Sequence, residues 1–377
     1  MGTPVLGSLN RSYSGWRVNE LVTRRFSPEH FQEILGAHLF PGASSHDVGS
    51  SFEGRPIRVI SLGSGPTTVL LWSQMHGDES TATMAIADIL NYFRLHSDEE
   101  SAKTILSSLH LLFLPLLNPD GATRFQRRTA QGIDMNRDAL SLQTPEAGIL
   151  KNIQQEHKPS FGFNLHDQEL STVGTTREVT ALSLLAPAFD DSKSNNEVRT
   201  RAKQLAAFLA ESAGQLAPGK IARYDDTYEP RAFGDCIQRW GTSTVLIESG
   251  HTIGDPEKNA VRRMNAVCIL AALHAIATGG HTATPVATYE SLPFNGKGAY
   301  DIIIRNIGIR HGSGTTKADL GISYQVDTHS ENPPILVDVG DLRTFVGLRE
   351  IDGGGKVLPG DRVVIGKAFA WEDFFPG

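Results

Sequence analysis

The chain has 377 residues, 40% of them hydrophobic and 20% charged, with a net charge of -7 and a pI near 6.0. That length allows one large domain plus a smaller one of ordinary globular composition. The sequence has no long basic run, so nucleic acid is not an expected partner. The N-terminal stretch from Met1 to Trp16 lacks a basic patch followed by an apolar run, and no apolar stretch approaches membrane-spanning length. A cytoplasmic protein with no membrane partner is therefore expected. Cys236 and Cys268 are too few for a disulfide framework and too far apart for a zinc ribbon, and read as buried free thiols.

In chain order, residues 1 to 50 mix helix-like pieces with Pro, Gly and Ser. A strand at Arg58 leads through the turn Gly63-Ser-Gly-Pro66 into the apolar strand Thr68–Trp72. Helical spacing of Met84, Ala87, Ile89 and Leu90 predicts a helix over Ser80–Arg94. Further strands are predicted at His110–Leu117, Phe161–Leu165, Val179–Leu185 and Thr244–Ile247, with helices at Arg199–Glu211 and Glu257–Ala277. Alternating helices and strands, several strands apolar on both faces, predict an α/β fold: a mixed, mostly parallel sheet sandwiched by helices. This region spans residues 1–280. After the linker-like Gly279–Pro285, residues 285–377 are rich in β-branched residues and turn dipeptides, including Asp301–Ile304, Pro334–Asp338, Asp352–Gly355 and Arg362–Ile365. They read as a small C-terminal all-β domain.

Four signals carry chemistry, each at or just after a strand end. In α/β sheets, ligands bind in the crevice outside the strand carboxyl ends. First, His76-Gly-Asp-Glu79 follows the apolar strand and opens the helix, with Gly77 permitting a tight backbone. Alone, a surface His and a helix N-terminal Glu is the commoner reading. Second, His166 ends the strand Phe161–Leu165, beside Asp167 and Gln168. It can close a metal site, and Asp167 can support it from behind if the backbone turns there. Third, Glu248 ends the strand Val245-Leu-Ile, and a carboxylate there needs a partner, a metal or a catalytic role. A pocketed Glu can act as a general base. Fourth, Asn118-Pro-Asp-Gly121 is turn chemistry followed by Arg127, Arg128, Asn136 and Arg137, which offer donors for carboxylates or oxyanions.

In this order, and with the lead-in Ser51-Phe-Glu-Gly-Arg-Pro-Ile57, residues 50 to 275 resemble the zinc carboxypeptidase family of the carboxypeptidase A type. The resemblance implies a zinc ion on His76, Glu79 and His166, with a fourth position for water. It implies that Glu248 is the general base and that Arg127 stabilises the oxyanion, with Arg128 competing for that role. Asn136 and Arg137 are implied to hold the substrate's terminal carboxylate, and Tyr228 to cap the substrate, with Tyr224 its rival. The sequence departs from the digestive members at Asp78, where many carry a basic residue, and at Asp167-Gln168, where they carry Ser-Tyr. Side-chain preference is expected near Gly234-Asp235-Cys236.

The expected activity is thus a zinc-dependent metallocarboxypeptidase acting on peptides. One alternative is a deacylase of N-acyl amino acids, of the aspartoacylase and succinylglutamate desuccinylase type. The C-terminal β domain favours that reading, whereas the Asn118-Pro-Asp-Gly121 turn favours peptidases. A murein-peptide amidase is a third reading. A non-catalytic binding protein on the same fold would have lost Glu248 or a ligand, and all are present.

Overall fold

The computed structural model describes residues 4–324 and 333–369. The expected regions 1–280 and 285–377 thus reach, at residues 1–3, 325–332 and 370–377, outside the described residues. The strands, in chain order, are β1 (Ser44–Ser50), β2 (Pro56–Leu62), β3 (Thr67–Ser73), β4 (Leu109–Leu114), β5 (Phe161–Asp167), β6 (Thr172–Val173), β7 (Leu182–Leu185), β8 (Ile221–Arg223) and β9 (Ser243–Ser249). All except β6 join one eight-stranded sheet in the order β1-β2-β4-β3-β5-β9-β7-β8. The central run β4-β3-β5-β9 is parallel, while β1, β2 and β7 meet their inner neighbours antiparallel. A mixed, mostly parallel sheet is what the doubly apolar strands predict.

Side-chain alternation assigns the two faces. Val69 and Leu71 of β3 enter one buried cluster, and Leu70 and Trp72 enter another. The first face is covered by helices Pro4–Trp16, Pro28–Ala37, Thr81–His96, Glu197–Leu216 and Asn259–Thr278; the second by Pro145–His157 and Phe233–Arg239. Phe163, Leu165, Val245 and Ile247 also face the first layer, so His166 and Glu248, one residue on, face the second. The helix Asn259–Thr278 is long and apolar enough to cross a membrane by composition, contrary to the reading of the sequence. Its apolar residues are instead spent in the core, where it packs on Thr81–His96.

Local chemistry shortens one predicted strand. His110–Leu117 stops at Leu114 because Pro115 has no N–H for the ladder and Leu116 takes φ 57°. Pro119 then opens the helix Pro119–Arg124, with the Asn118 side chain accepting from Gly121 N.

The C-terminal region is β-rich, as expected. After the short β10 (Asn295–Gly296), which pairs with β6, come β11 (Ala299–His311), β12 (Gly314–Ser323), β13 (Ile335–Gly340), β14 (Val346–Asp352) and β15 (Val357–Pro359). These five form a second sheet around Ile302, Ile304, Ile307, Ile309, Leu320, Ile322, Leu336 and Leu358. The isoleucine spacing in β11 slips by one residue between Ile304 and Ile307, where the register breaks and Asn306 takes φ 58°. The bulge keeps both halves on the same apolar face. Arg362–Ile365 is not a strand but a turn and the loop after it. The helix Ala287–Glu290, beyond the expected boundary at 285, packs with the large sheet: Tyr289 is buried in its core, and its Oη accepts from Ala186 N at 3.0 Å.

Candidate metal centre

The loop after β3 is built to turn side chains back over the sheet. Gln74 takes φ 53°, and its Nε2 donates to Gly77 O at 2.8 Å. A Cβ on Gly77 would lie 2.0 Å from the Gly121 carbonyl carbon, so only glycine lets the two loops close on each other. His76 and Glu79 follow from this packing, and β5, adjacent to β3, delivers His166 to the same place.

The three side chains converge. His76 Nδ1 lies 2.7 Å from Glu79 Oε1, and His166 Nδ1 lies 2.7 Å from Glu79 Oε2. Their ligand atoms all lie within 4.8 Å of one another, and all three residues are buried. Burial works against the Glu79 carboxylate, but the two imidazoles outweigh it and hold its pKa well below the usual range. Burial likewise opposes a charged His76, but Glu79 and Asp134 outweigh it and push the imidazole up to about 9. Burial prevails at His166 and lowers its pKa.

Asp134, not among the residues the sequence pointed to, supports this group from behind. Its Oδ1 lies 3.1 Å from His76 Nε2, which leaves Nδ1 facing Glu79. Its Oδ2 accepts from Arg127 Nη2 at 3.0 Å and Nε at 3.3 Å. The signal that could have found it is its position two residues before Asn136, since Oδ1 also accepts from Asn136 N and caps the turn Met135–Arg137. Two imidazoles, one carboxylate and a carboxylate orienting one imidazole are a donor set that fits zinc.

Asp167 supports the site differently from the expected way. Its backbone N donates to Glu79 Oε2 at 3.2 Å, while its carboxylate Oδ2 accepts from Thr81, Lys258 and Arg24. Lys258 is buried, takes φ 51° at the start of the helix Asn259–Thr278, and also donates to Ser249 O at 3.2 Å. One ammonium therefore ties the residue after His166 to the residue after Glu248.

The remaining site residues fall on either side. Glu248 stands opposite His166 in the register of β5 and β9, is buried, and its Oε2 has no hydrogen-bond partner among the described residues. Burial, reinforced by repulsion from Glu79, pushes its carboxyl well above the usual range. Arg127 Nη1 reaches Glu79 Oε1 at 3.2 Å, whereas Arg128 turns out to Gly132 O. Asn136 Oδ1 accepts from Phe233 N at 2.9 Å, and Arg137 lies 3.5 Å from Glu229. Tyr228 Oη accepts from Arg239. The phenol pKa of Tyr224 is raised first by the Glu248 charge and then by burial. Asp235 is buried and pushed up to about 7 by desolvation, and Asp78 to about 6, by burial and then by Glu79. Asn164, two residues before His166 on the same face, is fully buried with neither amide atom bonded among the described residues. Nothing in its sequence context marked it. Cys236 and Cys268 are buried free thiols away from this group.

Residues 38–183 match the zinc carboxypeptidase family. Carboxypeptidase 2 of Trichophyton rubrum is 28% identical over 133 residues, which cover 32% of this chain and 24% of that protein. Carboxypeptidase B of Astacus astacus is 33% identical over 82 residues, covering 21% of this chain and 26% of that protein. The matched stretch thus spans well under two thirds of these relatives. A metallo-carboxypeptidase structure from Burkholderia cenocepacia superposes with a TM-score of 0.54 at 18% identity, over 67% of this chain and 70% of that one. At that identity the likeness speaks for the fold. The fold is thus similar to that of a metallo-carboxypeptidase, and residues 38–183 are similar in sequence to the zinc carboxypeptidase family.

Proposed function

We propose that this chain is a zinc-dependent metallocarboxypeptidase that hydrolyses the C-terminal amide bond of a peptide. The observation that carries the reading is one row of side chains: a buried Glu248, its Oε2 without a hydrogen-bond partner among the described residues, beside His166, whose imidazole meets Glu79 and through it His76. Bound to His76, Glu79 and His166, zinc supplies Lewis-acid polarisation of a carbonyl and a water acidic enough to react near neutral pH.

The chain's own residues supply the rest. Glu248, held basic by burial, takes the proton from the attacking water and passes it to the leaving amine. Arg127, aimed by two bonds from Asp134, donates to the oxygen on which charge develops, a role worth about 3 kcal/mol in the transition state. Arg137 and Asn136 pair with the substrate's terminal carboxylate, which restricts cleavage to chain ends because an internal bond offers no such group. Tyr224, whose phenol pKa is raised by the Glu248 charge, covers the bound substrate.

The test is metal analysis followed by a substrate panel. One zinc per chain and fastest turnover of hippuryl dipeptides support the reading. Faster turnover of N-acyl amino acids moves it to a deacylase, and of murein tripeptide to an amidase. No transition metal in the protein and no activity on zinc addition sink it.

A further inference from the structure

The row of side chains does not end at Glu248. On its other side β7 runs antiparallel to β9, and Ser183 stands opposite Glu248. Cross-strand partners share a face of the sheet, with Cβ atoms about 5 Å apart. Ser183 is fully buried, so its hydroxyl must give its proton to some acceptor nearby. A carboxylate one strand away is the strongest one on offer, yet the bond is made elsewhere: Ser183 Oγ donates to Asn295 Oδ1 at 2.8 Å.

Asn295 is held in place by a closed set of bonds. Its Oδ1 also accepts from Ser171 Oγ at 3.3 Å, and its Nδ2 donates to Gln168 Oε1 at 2.8 Å. Gln168 Nε2 donates in turn to Ser171 Oγ at 2.9 Å. Its backbone is pinned by pairing of β10 with β6, where a Cβ on Gly296 would lie 1.8 Å from Gly174 O. Asn295 lies four residues before β11, so the segment leading into the second sheet reaches the end of the catalytic row.

We infer that Asn295 is a positioning residue for Glu248: by taking the Ser183 proton, it keeps that hydroxyl from bonding the carboxylate and leaves Glu248 free to accept from water. The inference rests on the proposed role of Glu248. It gives the C-terminal region a part in the reaction, since its lead-in supplies the acceptor.

The test compares Asn295→Ala, Ser183→Ala and the double variant with Glu248→Gln, all zinc-loaded, on one hippuryl dipeptide. Freed Ser183 would bond Glu248, so Asn295→Ala is expected to lower kcat about tenfold, the scale of a hydrogen bond to a charged group. KM and zinc content stay unchanged. Ser183→Ala alone stays near wild type, and adding it to Asn295→Ala restores most of kcat, because no hydroxyl remains to capture the carboxylate. A residue that only braces the fold gives no such rescue. A double variant no better than Asn295→Ala, or a Ser183→Ala loss equal to that of Asn295→Ala, overturns the inference. Asn295→Leu, of similar size and equally unable to accept, serves the same comparison should the alanine variant not fold. If Glu248→Gln loses turnover while the rescue fails, the inference alone is wrong. If Glu248→Gln keeps wild-type turnover, the base assignment fails and takes the inference with it.

Discussion

His166 and Glu248 stand opposite one another in the register of two adjacent parallel strands, so a candidate metal ligand and a candidate base share one face of the sheet. Glu248→Gln keeps the shape and removes the acceptor. The variant is expected to bind zinc like wild type and to lose turnover by roughly 10²- to 10⁴-fold, the range of a general base. Metal content and steady-state rates on the same sample check this. Unchanged turnover removes Glu248 from that role.

Asp134 orients His76 through Nε2 and Arg127 through its guanidinium. Asp134→Asn is expected to weaken zinc binding by about 10- to 100-fold, as for other groups that hold a ligand in place. Competition with a chelator of known affinity measures it. Wild-type affinity would mean that Glu79 alone is enough to set the imidazole.

Arg137 is half exposed and close to Glu229, so it can exchange that partner for a substrate carboxylate. Arg137→Ala is expected to raise KM about tenfold for substrates with a free terminal carboxylate, the scale of a charge-assisted bond. Amidated substrates should change little. Equal effects on both would argue against carboxylate recognition.

Burial pushes the Asp235 carboxyl up to about 7 from a usual 3.8. The unfolded chain releases this proton near pH 4, and the native state keeps it to about pH 7. The native state therefore binds more protons between these values, and stability falls as pH rises through that window. Asp235→Asn cannot ionise. It is expected to stabilise the protein by about 2–4 kcal/mol above pH 8 and hardly at all near pH 4. Denaturant unfolding at both pH values checks this. A gain that is the same at each would show that ionisation is not its cause.

Much of the fold was legible because the strands carry their burial in their composition. β3 is apolar on both faces, and only a covered, mostly parallel sheet accommodates that. Other features were hidden because they depend on context. The helix Asn259–Thr278 is apolar by composition, and only its packing separates a core helix from a membrane one. Pro115 and Leu116 cut a strand short for reasons of backbone geometry.

At the site, the sequence by itself determined the types of donor and their order along the chain: His76 and Glu79 after one strand, His166 and Glu248 at the ends of two others, and arginines between. Those choices are local, since a strand end and a turn can be read from a few neighbouring residues. Tertiary structure alone decided which of the equivalent groups arrive. It turned Arg127 inward and Arg128 outward and gave Asp134 to His76. It also brought Asn295 to Ser183 from 112 positions away. The physical reason is that these meetings join segments distant in sequence, through the pairing of strands and the packing of the loops between them, and neither is fixed by any one segment.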